Sequence, residues 1–146
     1  SLDAGSILAV EGARALFRLP YFSAEMSVTP TSNAGFDYRS RRTDPGGPRA
    51  EFSGRYRPVG EARPAAPGSL DHFLSERYCL YAVDTRGAVY RCEIHHRPWP
   101  LQSAELEIAQ NTMASAAGIT LSEQAPHLSF AKQLDVVVWA LTQVKT

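Results

Sequence analysis

The chain has 146 residues, with 15 Lys+Arg against 15 Asp+Glu and so no formal net charge. Nucleic-acid binding needs surplus positive charge to displace counterions, so no nucleic-acid partner is expected. Apolar residues make up 44% and charged residues 21%, a globular and not a disordered balance. The longest strongly apolar run, residues 136–141, is far short of the roughly 20 residues that span a bilayer, and no membrane partner is expected.

This length predicts a single domain over residues 1–146. The chain starts at Ser1 without an initiator Met, which reads as a processed or trimmed chain or an expression fragment, and no signal-peptide core stands at its start. Only Cys79 and Cys92 occur. Two thiols do not make a disulfide framework, so the expectation is a reducing cytoplasm.

In chain order, residues 3–19 read as a helix capped by Asp3 and stopped by Pro20, with Leu8, Gly12, Ala15, Leu16 and Leu19 on one face. Gly12 suggests close backbone packing. Residues 22–28 alternate, with Phe22, Ala24, Met26 and Val28 facing one way, as in a half-buried strand. A turn at 32–35, a strand at 36–42, a turn at 44–48 and a strand at 52–57 complete an antiparallel meander. Residues 58–68, with three Pro and two Gly, read as a loop. Ser69 caps a short helix through Glu76, with Leu70, Phe73 and Leu74 inward.

Strands follow at 77–83 and 89–96. Residues 104–111 suit a strand or a helix. Residues 113–117 form a helical turn ended by Gly118, and 128–139 read as one long final strand. About seven strands and two or three short helices result, with most connections too short for parallel crossovers. The class is α+β, dominated by antiparallel β, with a sheet that curls or closes into a barrel.

The turn at Asp84-Thr85-Arg86-Gly87 sets the register of one hairpin. Pairing Asp84 with Ala88 puts Leu80 opposite Cys92 and Cys79 opposite Glu93. A shift by one residue would bring the cysteines together, but it would set Leu80 against Arg91 and flip every side chain. The two thiols are therefore expected on opposite faces, unbonded. The polar face gathers Arg77, Tyr81, Arg91, Glu93 and His95. Turned outward it is ordinary solvated surface. Turned into a barrel it is a pocket, with Glu93 as acid/base, His95 as proton shuttle and Arg77 or Arg91 as carboxylate clamp.

Between residues 39 and 63 stand seven arginines, with Asp44, Glu51 and Glu61. They read as a solvated hairpin face or as an anion site, in which Arg39 and Arg41 are the candidates. His95 and His96 are adjacent on a strand and point apart, while His72 and His127 are distant in sequence. No metal site and no cofactor is expected, and no phosphate-binding loop or nucleophile elbow is present.

The run Leu19-Pro20-Tyr21-Phe22, Tyr38-Arg39-Ser40-Arg41-Arg42, residues 67–82, residues 93–114 and residues 130–139 together resemble the YqjF-like family of uncharacterised proteins, domain of unknown function 2071. That resemblance implies the acetoacetate decarboxylase-like superfamily, and with it a cone-like antiparallel barrel around an internal pocket. It also implies further N-terminal strands in complete members. In those decarboxylases a Glu-Ile pair leads to Pro-Lys-Lys, whose first Lys forms a Schiff base with the substrate ketone and whose second lowers its pKa. Here Glu93, Ile94 and Pro98 fall in register, but Trp99 and Pro100 occupy both lysine positions. The implied function is binding of a small organic acid or ketone without Schiff-base chemistry. The alternatives are an acid/base enzyme using Glu93 and His95, or a ligand-free interaction domain. Exposed sheet edges in a shortened barrel would favour a homo-oligomer.

Overall fold

A computed structural model describes residues 2–144. The elements are β1 (Leu2–Ala4), α1 (Ile7–Phe17), β2 (Tyr21–Pro30), β3 (Phe36–Arg42), β4 (Glu51–Arg63), α2 (Leu70–Ser75), β5 (Cys79–Val83), β6 (Val89–His96), β7 (Leu101–Asn111), α3 (Met113–Ala116), β8 (Ser129–Phe130), β9 (Val136–Val138) and β10 (Thr142–Gln143). They form an α+β fold of mainly antiparallel strands. A six-stranded sheet runs β1-β2-β3-β4-β7-β8, and β6 is flanked by β5 on one side and by β9 and β10 on the other. Among the described residues β1 and β8 do not meet, so the large sheet is a curled half-barrel and not a closed cone. Register shifts at Ser53/Gly54 and Val59/Arg63 bend β4, as bulges do. At Gly54 a Cβ would lie 2.9 Å from the Glu107 carbonyl oxygen, so the bend brings two backbones too close for a side chain.

The meander β2-β3-β4 forms as its alternation predicts, with Val28 opposite Tyr38 and Tyr38 opposite Gly54. Phe36, Tyr56 and Phe130 stack with ring centroids 5.2 to 6.0 Å apart, and Tyr38 tilts against Phe52. Burial on this face raises the pKa of both the Tyr38 and Tyr56 phenols.

The start of the chain departs from expectation. Asp3 is not a helix cap but lies in β1, which pairs in parallel with β2, so one parallel crossover does exist. Ser6 is the cap, its hydroxyl accepting from the Ala9 N–H at 3.4 Å. Asp3 instead takes the Arg42 guanidinium, at 2.8 Å to Nε and 3.4 Å to Nη2, in a pair whose side chains are 3% and 2% exposed. Val10 is the buried residue of α1, whereas Leu8 and Leu16 are exposed. Gly12 has nothing within 4 Å of a Cβ position, so it marks no close approach.

Three other expectations change. The loop expected at 58–68 is strand as far as Arg63. Pro58 is tolerated there because β3 pairs β4 only as far as Tyr56, leaving one side of β4 open. Residues 104–111, which suit strand or helix, are strand as the first of those readings has it, and the strand begins at Leu101. The expected final strand splits, with Phe130 pairing Gln102 of β7 and Val136–Val138 pairing β6, because the chain passes from one sheet to the other between them. On α2, Ser69 does cap through the His72 N–H at 3.1 Å, but Leu70, Phe73 and Leu74 are exposed rather than inward.

The β5–β6 hairpin has the anticipated register, Cys79 opposite Glu93 and Leu80 opposite Cys92. Both cysteines are free, and burial raises the pKa of Cys92. Amphipathy alone selects this register, since the one-residue slip buries charge.

Candidate functional site

The polar hairpin face expected to line a pocket faces solvent in this chain. Glu93 is 68% exposed in its side chain and bonds Arg91 Nη2 at 3.1 Å. Tyr81 is 60% exposed, and His95 and Arg77 are exposed as well. The Arg77 guanidinium stacks 3.8 Å over the Phe73 ring. His95 and His96 do point apart: His96 is buried, with Nδ1 2.8 Å from the Arg97 carbonyl oxygen and Nε2 3.2 Å from that of Arg77. Its ring stacks on Tyr78 at 4.7 Å. Of the two, His96 is built into the structure.

Five of the seven clustered arginines face carboxylates. Arg41 meets Glu25 at 2.5 Å, Arg55 meets Asp37 at 2.9 Å, Arg57 meets Glu105 at 2.5 Å, and Arg63 lies 3.8 Å from Glu61. Arg42 is the buried partner of Asp3. Three of the pairs, those of Arg41, Arg55 and Arg57, form a cross-strand charge ladder on a solvated sheet face. Arg39 makes no ion pair among the described residues. It stands where two shallow surface grooves of about 520 and 460 Å³ meet.

The cluster that sequence reading missed is Asp71, His127 and Ser129. Asp71 sits in the first turn of α2, which Ser69 caps, and Ser129 begins β8. The pairing of β8 with β7 swings 127–129 back over α2. Ser129 Oγ donates to Asp71 Oδ1 at 2.6 Å, and His127 Nε2 lies 2.7 Å from the same oxygen. The Ser129 hydroxyl and then the His127 ring hold the Asp71 carboxyl below the ordinary carboxylate range.

This is not a serine relay. A relay puts histidine between serine and carboxylate, whereas here both donors share one carboxylate oxygen and Ser129 Oγ is 3.4 Å from His127 Nε2. What the arrangement does is fix an ionised carboxylate and orient an imidazole. With Nε2 committed to Asp71, His127 Nδ1 accepts a hydrogen bond when the ring is neutral and donates one when it is protonated.

The trio divides two hollows. One, of about 460 Å³, is walled by Arg63, Ser69, Gln102 and Leu101. The other, of about 270 Å³, is walled by Leu74, Trp99, Leu101 and Ala131. Trp99 Nε1 is buried without a hydrogen-bond partner. No sequence signal points to this trio, because Asp71 and His127 are 56 positions apart and belong to no spacing motif. Among the described residues, no group of three or more His, Cys, Asp or Glu is arranged to hold a metal ion. Among the described residues, no helix is long and apolar enough to cross a membrane.

Two other aspartates have depressed carboxyls: Asp44, through the Arg14 guanidinium, and Asp84, through the Ala88 N–H. A carboxyl with a folded-state pKa below its unfolded value contributes its full stability above the unfolded value, near pH 4. That contribution is lost as pH falls through the folded value. The urea midpoint is therefore expected to drop as pH is lowered below about 4, with a shallower drop in Asp44→Asn, Asp71→Asn and Asp84→Asn. A midpoint unchanged between about pH 5 and pH 2.5 would contradict this.

Comparison with known proteins places the chain. Residues 1–135 match the domain of unknown function 2071, described as an uncharacterised conserved protein. The chain is 47% identical over 141 residues to the uncharacterised protein YqjF of Bacillus subtilis (strain 168), covering 97% of this chain and 57% of that one. It thus spans a little over half the length of the curated relative it matches. No solved structure matches it. With the match extending over almost all of its length, the chain belongs to the domain of unknown function 2071 family.

Proposed function

We propose that this chain holds a small organic acid or ketone non-covalently, in the groove between Arg63 and the Asp71–His127–Ser129 trio. The observation that carries the reading is an ionised carboxylate fixed by two donors on one wall of a 460 Å³ groove, with a guanidinium on another. Arg63 supplies a fork for a carboxylate. His127 Nδ1, donating when the ring is protonated, suits a carbonyl a few atoms away, and the free Asp71 oxygen accepts from a hydroxyl. The volume is at the small end of ligand pockets. The curled antiparallel sheet supports an acetoacetate decarboxylase-like barrel as the wider architecture, and the two free thiols support a cytoplasmic setting. Binding without covalent capture is favoured by Trp99 and Pro100 standing where the resemblance would put twin lysines.

Acetoacetate is a suitable probe. Titrated into isotope-labelled protein, it should shift the amide signals of residues 63, 71, 102 and 127–129. Arg63→Gln should weaken binding about tenfold or more, the worth of one charge-assisted hydrogen bond, and Asp71→Asn should change it only through the His127 ring that Asp71 orients. Borohydride added with the probe should leave the protein mass unchanged. Shifts confined to the Glu93 and His95 face would move the site there, a Lys132 adduct would overturn the non-covalent reading, and no shift at millimolar probe would remove the ligand.

A further inference from the structure

We propose that two copies of this chain pair through the free edge of β5, antiparallel about a two-fold axis at Tyr81, joining their hairpin sheets into one. The proposal is independent of the ligand groove, which lies elsewhere.

The first argument is surface area. The chain exposes 10,547 Å², whereas a compact chain of its 16.0 kDa is expected to expose about 7,400 Å². Part of that exposed surface lies along the β5 edge. There the apolar side chains of Tyr78, Tyr81 and Val83 are exposed.

The second argument is the edge itself. In β5, Asp84 N donates to Ala88 O at 3.0 Å and Ile94 N to Tyr78 O at 2.9 Å. Hydrogen-bonded and non-bonded pairs alternate in an antiparallel ladder. Residues 78, 80, 82 and 84 therefore bond inward to β6, and the backbone groups of Cys79, Tyr81 and Val83 point outward. Among the described residues nothing pairs with that edge.

Folded proteins usually guard such edges with charge, proline or a bulge. The open side of β2 has Glu25 and Pro30, that of β7 has Glu105 and Glu107, and that of β4 has Pro58 and Glu61. β5 reads Cys-Leu-Tyr-Ala-Val, with no charge and no proline. A second copy fits it because the segment is complementary to itself. Tyr81 meets the partner subunit's Tyr81, and Cys79 meets the partner subunit's Val83, so three mutual pairs make about six backbone hydrogen bonds. A net charge of zero leaves no overall repulsion between copies.

Sedimentation velocity on the whole chain should give a concentration-dependent dimer. Val83→Cys should form an intermolecular disulfide with the native Cys79 on mild oxidation. The two positions are four residues apart on one strand, about 13 Å, and so cannot bond within a chain. Tyr81→Lys sets like charges directly opposite on the axis and should raise the dimer dissociation constant about tenfold or more. Its circular dichroism should be unchanged, because that side chain is exposed. A monomer at every concentration overturns the proposal, and so does a dimer that Tyr81→Lys leaves intact and Val83→Cys fails to cross-link.

Discussion

Asp3→Ala is expected to cost about 3–5 kcal/mol, a large part of the stability of a chain this size. Asp3 is the only carboxylate bonded to Arg42 among the described residues, and both side chains are almost fully buried. Arg42 is held further by the Pro48 carbonyl oxygen, 2.9 Å from Nη1, and by the Phe22 ring, 3.8 Å beneath its guanidinium. Removing the carboxylate strands a guanidinium that cannot lose its proton. The pair also ties β1 to the end of β3, so β1 and the N-terminal side of α1 are expected to loosen first. Urea unfolding measures the loss. A double variant, Asp3→Leu with Arg42→Met, should recover most of it, because neither charge is then buried alone. A single Asp3→Ala variant as stable as the parent would mean that water reaches Arg42.

His96→Ala should be the next most damaging change, at about 2–4 kcal/mol, whereas His95→Ala should stay within about 0.5 kcal/mol of the parent. His96 faces the carbonyls of Arg77 and Arg97 and stacks on Tyr78, which is itself hydrogen-bonded to Glu76. It therefore ties the strand of β6 to the segment leaving α2 and to the Pro98–Pro100 corner. Alanine removes the ring N–H that one of those carbonyls accepts and opens a void beside Trp99. His95 is exposed on the opposite face. Equal losses from the two variants, read from urea midpoints, would contradict the assignment of His96 as the structural histidine.

The hairpin was legible because period-2 patterning is a local signal: once Leu80, Ala82 and Cys92 face inward, Cys79 and Glu93 have to pair. The meander was legible for the same reason. Local signals became ambiguous where two residues of one chemical type competed. Asp3 and Ser6 are both good caps, and the ion pair with a side chain 39 positions away decided between them. Pro58 has the local signature of a breaker, because the sheet neighbours that make its missing N–H harmless are set by tertiary pairing, which leaves one side of β4 open there. Leu70, Phe73 and Leu74 have a core-facing pattern on α2, but among the described residues their side chains stay exposed.

The candidate site divides in the same way. The Glu93 face is a local pattern and was readable as a face, though not as wall or exterior. The Asp71–His127–Ser129 trio carries no local pattern, because it forms only when the pairing of β8 with β7 returns the chain to α2.

By itself, then, the amino-acid sequence determined the antiparallel class, the meander, the hairpin register and the absence of a cysteine bond, since each follows from side-chain alternation and turn chemistry within a few residues. Tertiary structure alone decided the role of Asp3, the break of the last strand between two sheets, the histidine that is buried, and the three side chains that share one carboxylate oxygen. Those outcomes depend on contacts across 19 to 58 positions, where the free energy of burial and pairing, not local preference, selects the geometry.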